Sequence, residues 1–262
     1  MGLLELYHYL NTEFADKRTN DWFLVSSPVP IVLILFSYTY FVLRCGPKFM
    51  ANKQPYGLHQ LVRVYNLIQI ILNATIIYLI VDSGWIEDFF IYCVPPNYDP
   101  TPQGLKICAI SYYGFVIRVF DLFETIVFVL RKKNRQVSFL HLYHHITTVI
   151  VTWLNVKYVS TGMSLTIGIV NSTIHVIMYT YYLLSTYGPS VQRKLQPLKP
   201  MITIAQMVQF VFLILYMLQT LRPTCRGLLI PASVMFVNVW INLILFYNFY
   251  RKNYTAKKSK AK

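Results

Sequence analysis

Seven stretches of this chain are apolar, almost free of charge and about as long as a membrane crossing; IVLILFSYTYFVL at residues 31–43 is typical. A hydrocarbon layer about 30 Å thick takes roughly 20 residues of helix, and within it every backbone amide must find its partner inside the helix. That requirement makes the fold class an all-α membrane protein with seven transmembrane helices. Only 13% of the residues are charged, where a soluble domain would carry about a quarter. Residues 1–262 read as a single polytopic domain with no repeat. The expected spans are 27–43, 61–81, 105–130, 137–156, 162–184, 201–220 and 228–249, of which the third and fifth carry internal polar residues. The segment before the first span has no basic stretch leading into an apolar core, so it does not read as a secretory signal. Asn-x-Ser/Thr matches at Asn73, Asn171 and Asn253 fall in apolar runs or the basic tail and are discounted as glycosylation sites.

Charge orients the spans. Of 24 Lys and Arg, 17 lie on one side, in residues 44–63, 131–135, 193–199 and 251–262. Six lie on the other side, and Arg118 falls inside the third span. Eight of the ten acids sit on the poorly basic side, and the remaining two, Asp121 and Glu124, are inside the third span. The positive-inside rule then makes the basic side cytosolic, with the N-terminus lumenal and residues 250–262 a basic cytosolic tail. The net charge of +14 suits an anionic leaflet or an anionic soluble substrate, and basic residues confined to short loops give no case for nucleic acid. Cys93 and Cys225 fall in the two larger inter-helix lumenal loops, so an oxidising lumen would make them the expected disulfide pair.

Ionisable groups within a membrane are costly and point to function. HLYHH puts His141, His144 and His145 within a face of about 100°, by the 3.6-residue period. Arg118, Asp121, Glu124 and Thr125 share a face of the third span. Asn171, His175, Met178, Tyr179 and Tyr182 share one in the fifth, and Thr203, Gln206 and Gln209 one in the sixth. Measured from the cytosolic ends at 1.5 Å per residue, Asp121 and Glu124, the three histidines, and Gln206 and Gln209 lie roughly 9–15 Å deep and His175 about 20 Å deep. Lone amides in a span usually bind helix to helix, and Tyr179 and Tyr182 would serve equally as packing. Three clustered histidines need another reason. One is a metal site, as in a membrane desaturase or hydroxylase. The other is acid–base or nucleophilic catalysis by a neutral imidazole. Membrane di-iron enzymes generally need about eight histidines, and only His141, His144, His145 and His175 are in reach. A seven-span receptor or channel fits the same topology but has no use for imidazoles from two helices at one depth.

HLYHH, then NSTIHVIMYTYY thirty residues on, then TIAQMVQ, resembles the ELO family of very-long-chain fatty acid elongases, the 3-ketoacyl-CoA synthases of the endoplasmic reticulum. The resemblance covers nearly the whole chain. It implies a helical barrel or bundle enclosing an acyl-chain pocket that opens to the cytosol. It also implies condensation of a long-chain acyl-CoA with malonyl-CoA to a 3-ketoacyl-CoA two carbons longer, with His144 as the acyl acceptor. His175 would handle the malonyl thioester, and His141, His145, Asp121 and Glu124 would assist. Arg118, Asn171, Tyr179, Tyr182, Gln206 and Gln209 would contact substrate, and Arg131, Lys132 and Lys133 would hold the CoA phosphates. No metal or other cofactor is implied. Implied partners are the ketoreductase, dehydratase and enoyl reductase of the elongation cycle, membrane lipid and a second copy in a homodimer. The ending KKSKAK resembles a KxKxx retrieval signal through Lys258 and Lys260. One motif departs: the family's KxxExxDT stands here as RVFDLFET, with each charge sign kept and each charged side chain changed in length or shape.

Overall fold

The computed structural model describes residues 2–85, 92–94, 96–225 and 229–255; Lys258 and Lys260, together with Glu87, Asp88 and Arg226, lie outside them. Among the described residues the regular structure is helical throughout. The helices are α1 (Leu3–His8), α2 (Val29–Tyr40), α3 (Gly46–Met50), α4 (His59–Asp82), α5 (Pro102–Leu130), α6 (Phe139–Tyr158), α7 (Gly162–Leu184), α8 (Pro189–Leu195), α9 (Leu198–Met217) and α10 (Leu229–Tyr250). A π-helical turn over Phe41–Cys45 joins α2 to α3, so helical structure continues from Val29 to Met50.

Among the described residues, five helices are long and apolar enough to cross a membrane: Val29–Met50, His59–Asp82, Gly162–Tyr187, Leu198–Leu221 and Ile230–Thr255. The fifth expected span is among them despite its polar face. Helices α5 and α6 have 29 and 20 residues, about 43 and 30 Å of helix. Both fall short in apolarity rather than in length, since α5 carries Lys106, Arg118, Asp121 and Glu124 while α6 carries three histidines and Lys157. Between them these two helices carry Arg118, Asp121, Glu124, His141, His144 and His145.

Helix neighbours follow a closed circuit. Helix α4 packs on α7, α7 on α9, α9 on α10, α10 on α6, α6 on α5 and α5 back on α4, while α3 and the π-turn lie against α5. Local signals set the ends of these elements. Thr101 and Ser138 cap α5 and α6 by accepting from the backbone N–H of Gly104 and His141, groups that have no partner within the helix. Val25, Ile31, Tyr38, Val42, Phe115, Leu122, Val129, Val149, Trp153 and Val156 form one buried core between α2 with its π-turn and the α5–α6 pair. At the opposite end of the circuit from the basic loops, α7 begins at Gly162, where a Cβ would fall on the ring of Trp85.

The segment between α1 and α2 is strapped across that same end. Asp16 and Arg18 form a buried ion pair at 2.7 Å, and the carboxylate pushes the Arg18 guanidinium further above its usual value. Thr19 donates to Val156 O at 2.7 Å, Trp153 Nε1 to Leu24 O at 2.8 Å, and the fully buried Lys157 to Asn20 Oδ1 at 2.5 Å. Cys93 and Cys225 are joined in a disulfide with Cα atoms 6.0 Å apart. It ties the irregular segment before α5 to the turn that follows α9.

Candidate active site

The polar faces assemble as two clusters that share α5. In the first, Arg118 is the hub. Its Nη1 lies 2.9 Å from Asp121 Oδ2, and 2.8 and 2.9 Å from the two ring nitrogens of His175. Its Nη2 donates to Asn73 Oδ1 at 2.7 Å. A guanidinium only donates, so the His175 nitrogen that accepts carries a lone pair and the ring is neutral in this arrangement. Asp121 receives further donors at Oδ1, from Gln69 Nε2 at 2.6 Å and Tyr179 Oη at 3.3 Å. Burying an ionised carboxylate costs several kcal/mol unless it is paired and hydrogen-bonded, and here both oxygens are met. Arg118, Asp121, His175, Tyr179, Gln69 and Asn73 are all buried.

The second cluster is the histidine box. Thr125 Oγ1 accepts from Tyr38 Oη at 2.9 Å and lies 2.8 Å from His141 Nε2, fixing one edge of that ring. The His141 and His145 rings are 4.2 Å apart between centroids, and the His144 and His145 rings 5.6 Å. Phe246 of α10 closes the far side of His144, 6.0 Å between ring centroids. Glu124 stands one turn beyond Asp121 and joins this cluster: one of its oxygens and a ring nitrogen each from His141 and His145 all lie within 4.8 Å of one another. Since Asp121 takes Arg118, Glu124 is the carboxyl left without a cation. Those three ligand atoms have the donor set and spacing of a divalent-metal site, one short of the four ligands zinc ordinarily takes. The clusters are joined through α5, on which Asp121 and Glu124 stand three residues apart, the first turned to Arg118 and the second to His141 and His145. His8 and His59, the other two histidines, are exposed elsewhere.

The remaining candidate residues divide. Gln209 is buried, whereas Gln206 points its amide at Met178 Sδ, 3.6 Å away. Asn171 is half-buried on α7, and Tyr182 packs edge-on to Tyr179 with ring centroids 6.0 Å apart. Tyr179 is more than packing because its hydroxyl reaches Asp121. Arg131, Lys132 and Lys133 follow α5 at the basic end, and Lys132 Nζ is turned onto Ala51 O at 3.3 Å. Arg63 is anchored there too, donating to Thr186 and lying over the Tyr187 ring at 4.7 Å.

Three contributors were not singled out in the sequence: Gln69, Asn73 and Tyr38. Tyr65, Gln69 and Asn73 recur at every fourth position inside an apolar run, the spacing of one helical face. That spacing was the available signal. Asn73 was considered only as a glycosylation match, yet its side chain is wholly buried against Arg118.

The family model described as "ELO: GNS1/SUR4 family" matches residues 23–262. The chain belongs to the ELO family. A very long chain fatty acid elongase 1 of Mus musculus is 35% identical over 98% of this chain and 92% of that protein. Very long chain fatty acid elongase 1 of Homo sapiens is 35% identical over 93% of this chain and 88% of that protein. Very long chain fatty acid elongase AAEL008004 of Aedes aegypti is 34% identical over 97% and 70% respectively. ELO membership thus spans every element that contributes to the two clusters.

Proposed function

We propose that this ELO protein acts in fatty acid elongation as the condensing enzyme, joining a long-chain acyl-CoA to malonyl-CoA. The observation that carries the reading is that α5 anchors both clusters, with Arg118 and Asp121 against His175 and Glu124 against His141 and His145. In the first half-reaction His144 attacks the acyl thioester. Its N–C bond forms as the C–S bond breaks, and the imidazole proton leaves with CoA as the thiol. In the second, malonyl-CoA loses CO2, and the resulting enolate carbon attacks the acyl-imidazole, breaking the C–N bond and releasing His144, which regains a proton drawn from solvent. The product is a 3-ketoacyl-CoA two carbons longer, and no step needs an external oxidant or reductant. The uncharged His175 ring lies near the enolate oxygen in this scheme, with Arg118 behind it to stabilise developing negative charge. Glu124, His141 and His145 hold and pass the protons that the two halves exchange. Asn171, Gln206 and Gln209 line the acyl path.

The setting follows from the same reading. Helices α5 and α6 complete a seven-span bundle with the basic end cytosolic, the acyl chain running inward from the histidine box and the CoA phosphates held by Arg131, Lys132 and Lys133. The Cys93–Cys225 disulfide suits a lumenal, oxidising face of the endoplasmic reticulum. The reaction as written needs no resident metal or cofactor. Its product is a substrate for a ketoreductase, and a dehydratase and an enoyl reductase complete the cycle. A homodimer is the proposed assembly.

The test is turnover by the purified protein with a panel of acyl-CoAs and isotopically labelled malonyl-CoA, wild type against His144→Ala. A labelled 3-ketoacyl-CoA from wild type alone supports condensation. Equal product from both would remove His144 from the chemistry, and stoichiometric iron or zinc with an oxidised lipid product would point to the desaturase class.

A further inference from the structure

The altered motif calls for residues to match it, and α4 supplies them. A lysine presents three protons from one nitrogen, whereas a guanidinium spreads five over a planar fork and must be satisfied on more than one side. With Nη1 engaged by Asp121 and His175, the other arm of Arg118 is met by Asn73 Oδ1 at 2.7 Å. Aspartate at 121 is one methylene shorter than the glutamate of the family pattern, and Gln69 Nε2 reaches its Oδ1 at 2.6 Å. Gln69 and Asn73 are one helical turn apart and have no solvent exposure.

Their amides are also locked to each other. Gln69 Nε2 spends its two protons on Asp121 Oδ1 and Tyr65 Oη, the latter at 2.8 Å. Asn73 Nδ2 donates to Gln69 O at 2.8 Å and to Gln69 Oε1 at 3.3 Å. Reversing Asn73 would set an NH2 against the guanidinium, and reversing Gln69 would set an oxygen against the Asp121 carboxylate. Each amide therefore has one satisfied orientation. A pair that merely joined helices would not need to be committed, atom by atom, to two of the three groups in which this chain departs from the family motif.

We infer that Gln69 and Asn73 are positioning residues that fit the site to Arg118 and Asp121, holding the guanidinium where it donates to His175 and fixes that ring neutral and in register. This rests on the condensing reading for its catalytic consequence, but the state of His175 can be measured without turnover. Diethylpyrocarbonate acylates neutral imidazole nitrogens that have a free lone pair, and modification at each histidine is followed by peptide mass spectrometry with exposed His59 as the internal reference. In wild type His175 reacts slowly, because its lone pair accepts from Arg118. Asn73→Ala and Gln69→Leu are expected to raise its rate about tenfold or more, and to lower kcat about 10- to 100-fold with KM within about threefold. Asn73→Asp keeps an acceptor oxygen for Nη2 and is expected to keep His175 protected, with kcat much closer to wild type.

An unchanged His175 rate in Asn73→Ala overturns the inference. So does Asn73→Asp that loses protection as far as Asn73→Ala, since the acceptor would then not matter. If wild type elongates no acyl-CoA while the reactivity contrast holds, the condensing reading fails and the positioning role stands.

Discussion

At the scale of single residues, the two carboxylates of α5 have separate fates. Asp121 is spent on Arg118, Gln69 and Tyr179, while Glu124 faces His141 and His145 with no cation. Glu124→Gln keeps the shape and removes the charge and the exchangeable proton. It is expected to lower kcat about 100-fold in a steady-state assay while leaving the thermal midpoint close to wild type. His144→Ala is expected to cost at least about 1,000-fold, because no neighbouring group replaces a nucleophile. The histidines were legible in the sequence since imidazoles stand out in an apolar helix. Gln69 and Asn73 were not, because an isolated amide in a span ordinarily reads as a link between helices. Only their partners distinguish a link from a clamp.

At the scale of elements, apolarity and function compete. The long uncharged runs announced α4, α7, α9 and α10 within a few residues, and the α2 run extended through a π-turn into α3. Helices α5 and α6 were legible too, although the groups that make them useful also make them less apolar. What the sequence did not disclose was the strap of residues 14–26, whose pairings are non-local: Thr19 reaches Val156, and Leu24 reaches Trp153, 129 positions away. Its anchor is the buried Asp16–Arg18 pair, with side chains 0% and 4% exposed. Asp16→Asn leaves a buried guanidinium short of charge and is expected to destabilise by about 3 kcal/mol, seen as a lower midpoint in a detergent thermal-shift assay. Gly162→Ala, which pushes a Cβ onto the Trp85 ring, is expected to lower the same midpoint. An unchanged midpoint in Asp16→Asn would mean that the strap does not hold the end of the bundle.

At the scale of the whole molecule, charge and covalent chemistry divide the protein into two ends. The Cys93–Cys225 bond closes a loop with a sequence separation of 132 residues. Its loss in Cys93→Ser is expected to cost about 2–4 kcal/mol, read as a lower thermal midpoint that reductant no longer changes. The other end carries the basic loops, among them residues 131–135 between the end of α5 and the start of α6, the helix of the histidine box. The central claim is that acyl transfer to His144 precedes any encounter with malonyl-CoA. The most direct measurement mixes the protein with one acyl-CoA alone, follows free CoA release on the timescale of turnover, and locates the adduct by peptide mass spectrometry. The account predicts a burst of about one CoA per chain and an acyl mass on His144, distinct from any thioester on exposed Cys45 and absent in His144→Ala. Release of CoA only when malonyl-CoA is present, with His144 unmodified, would contradict it.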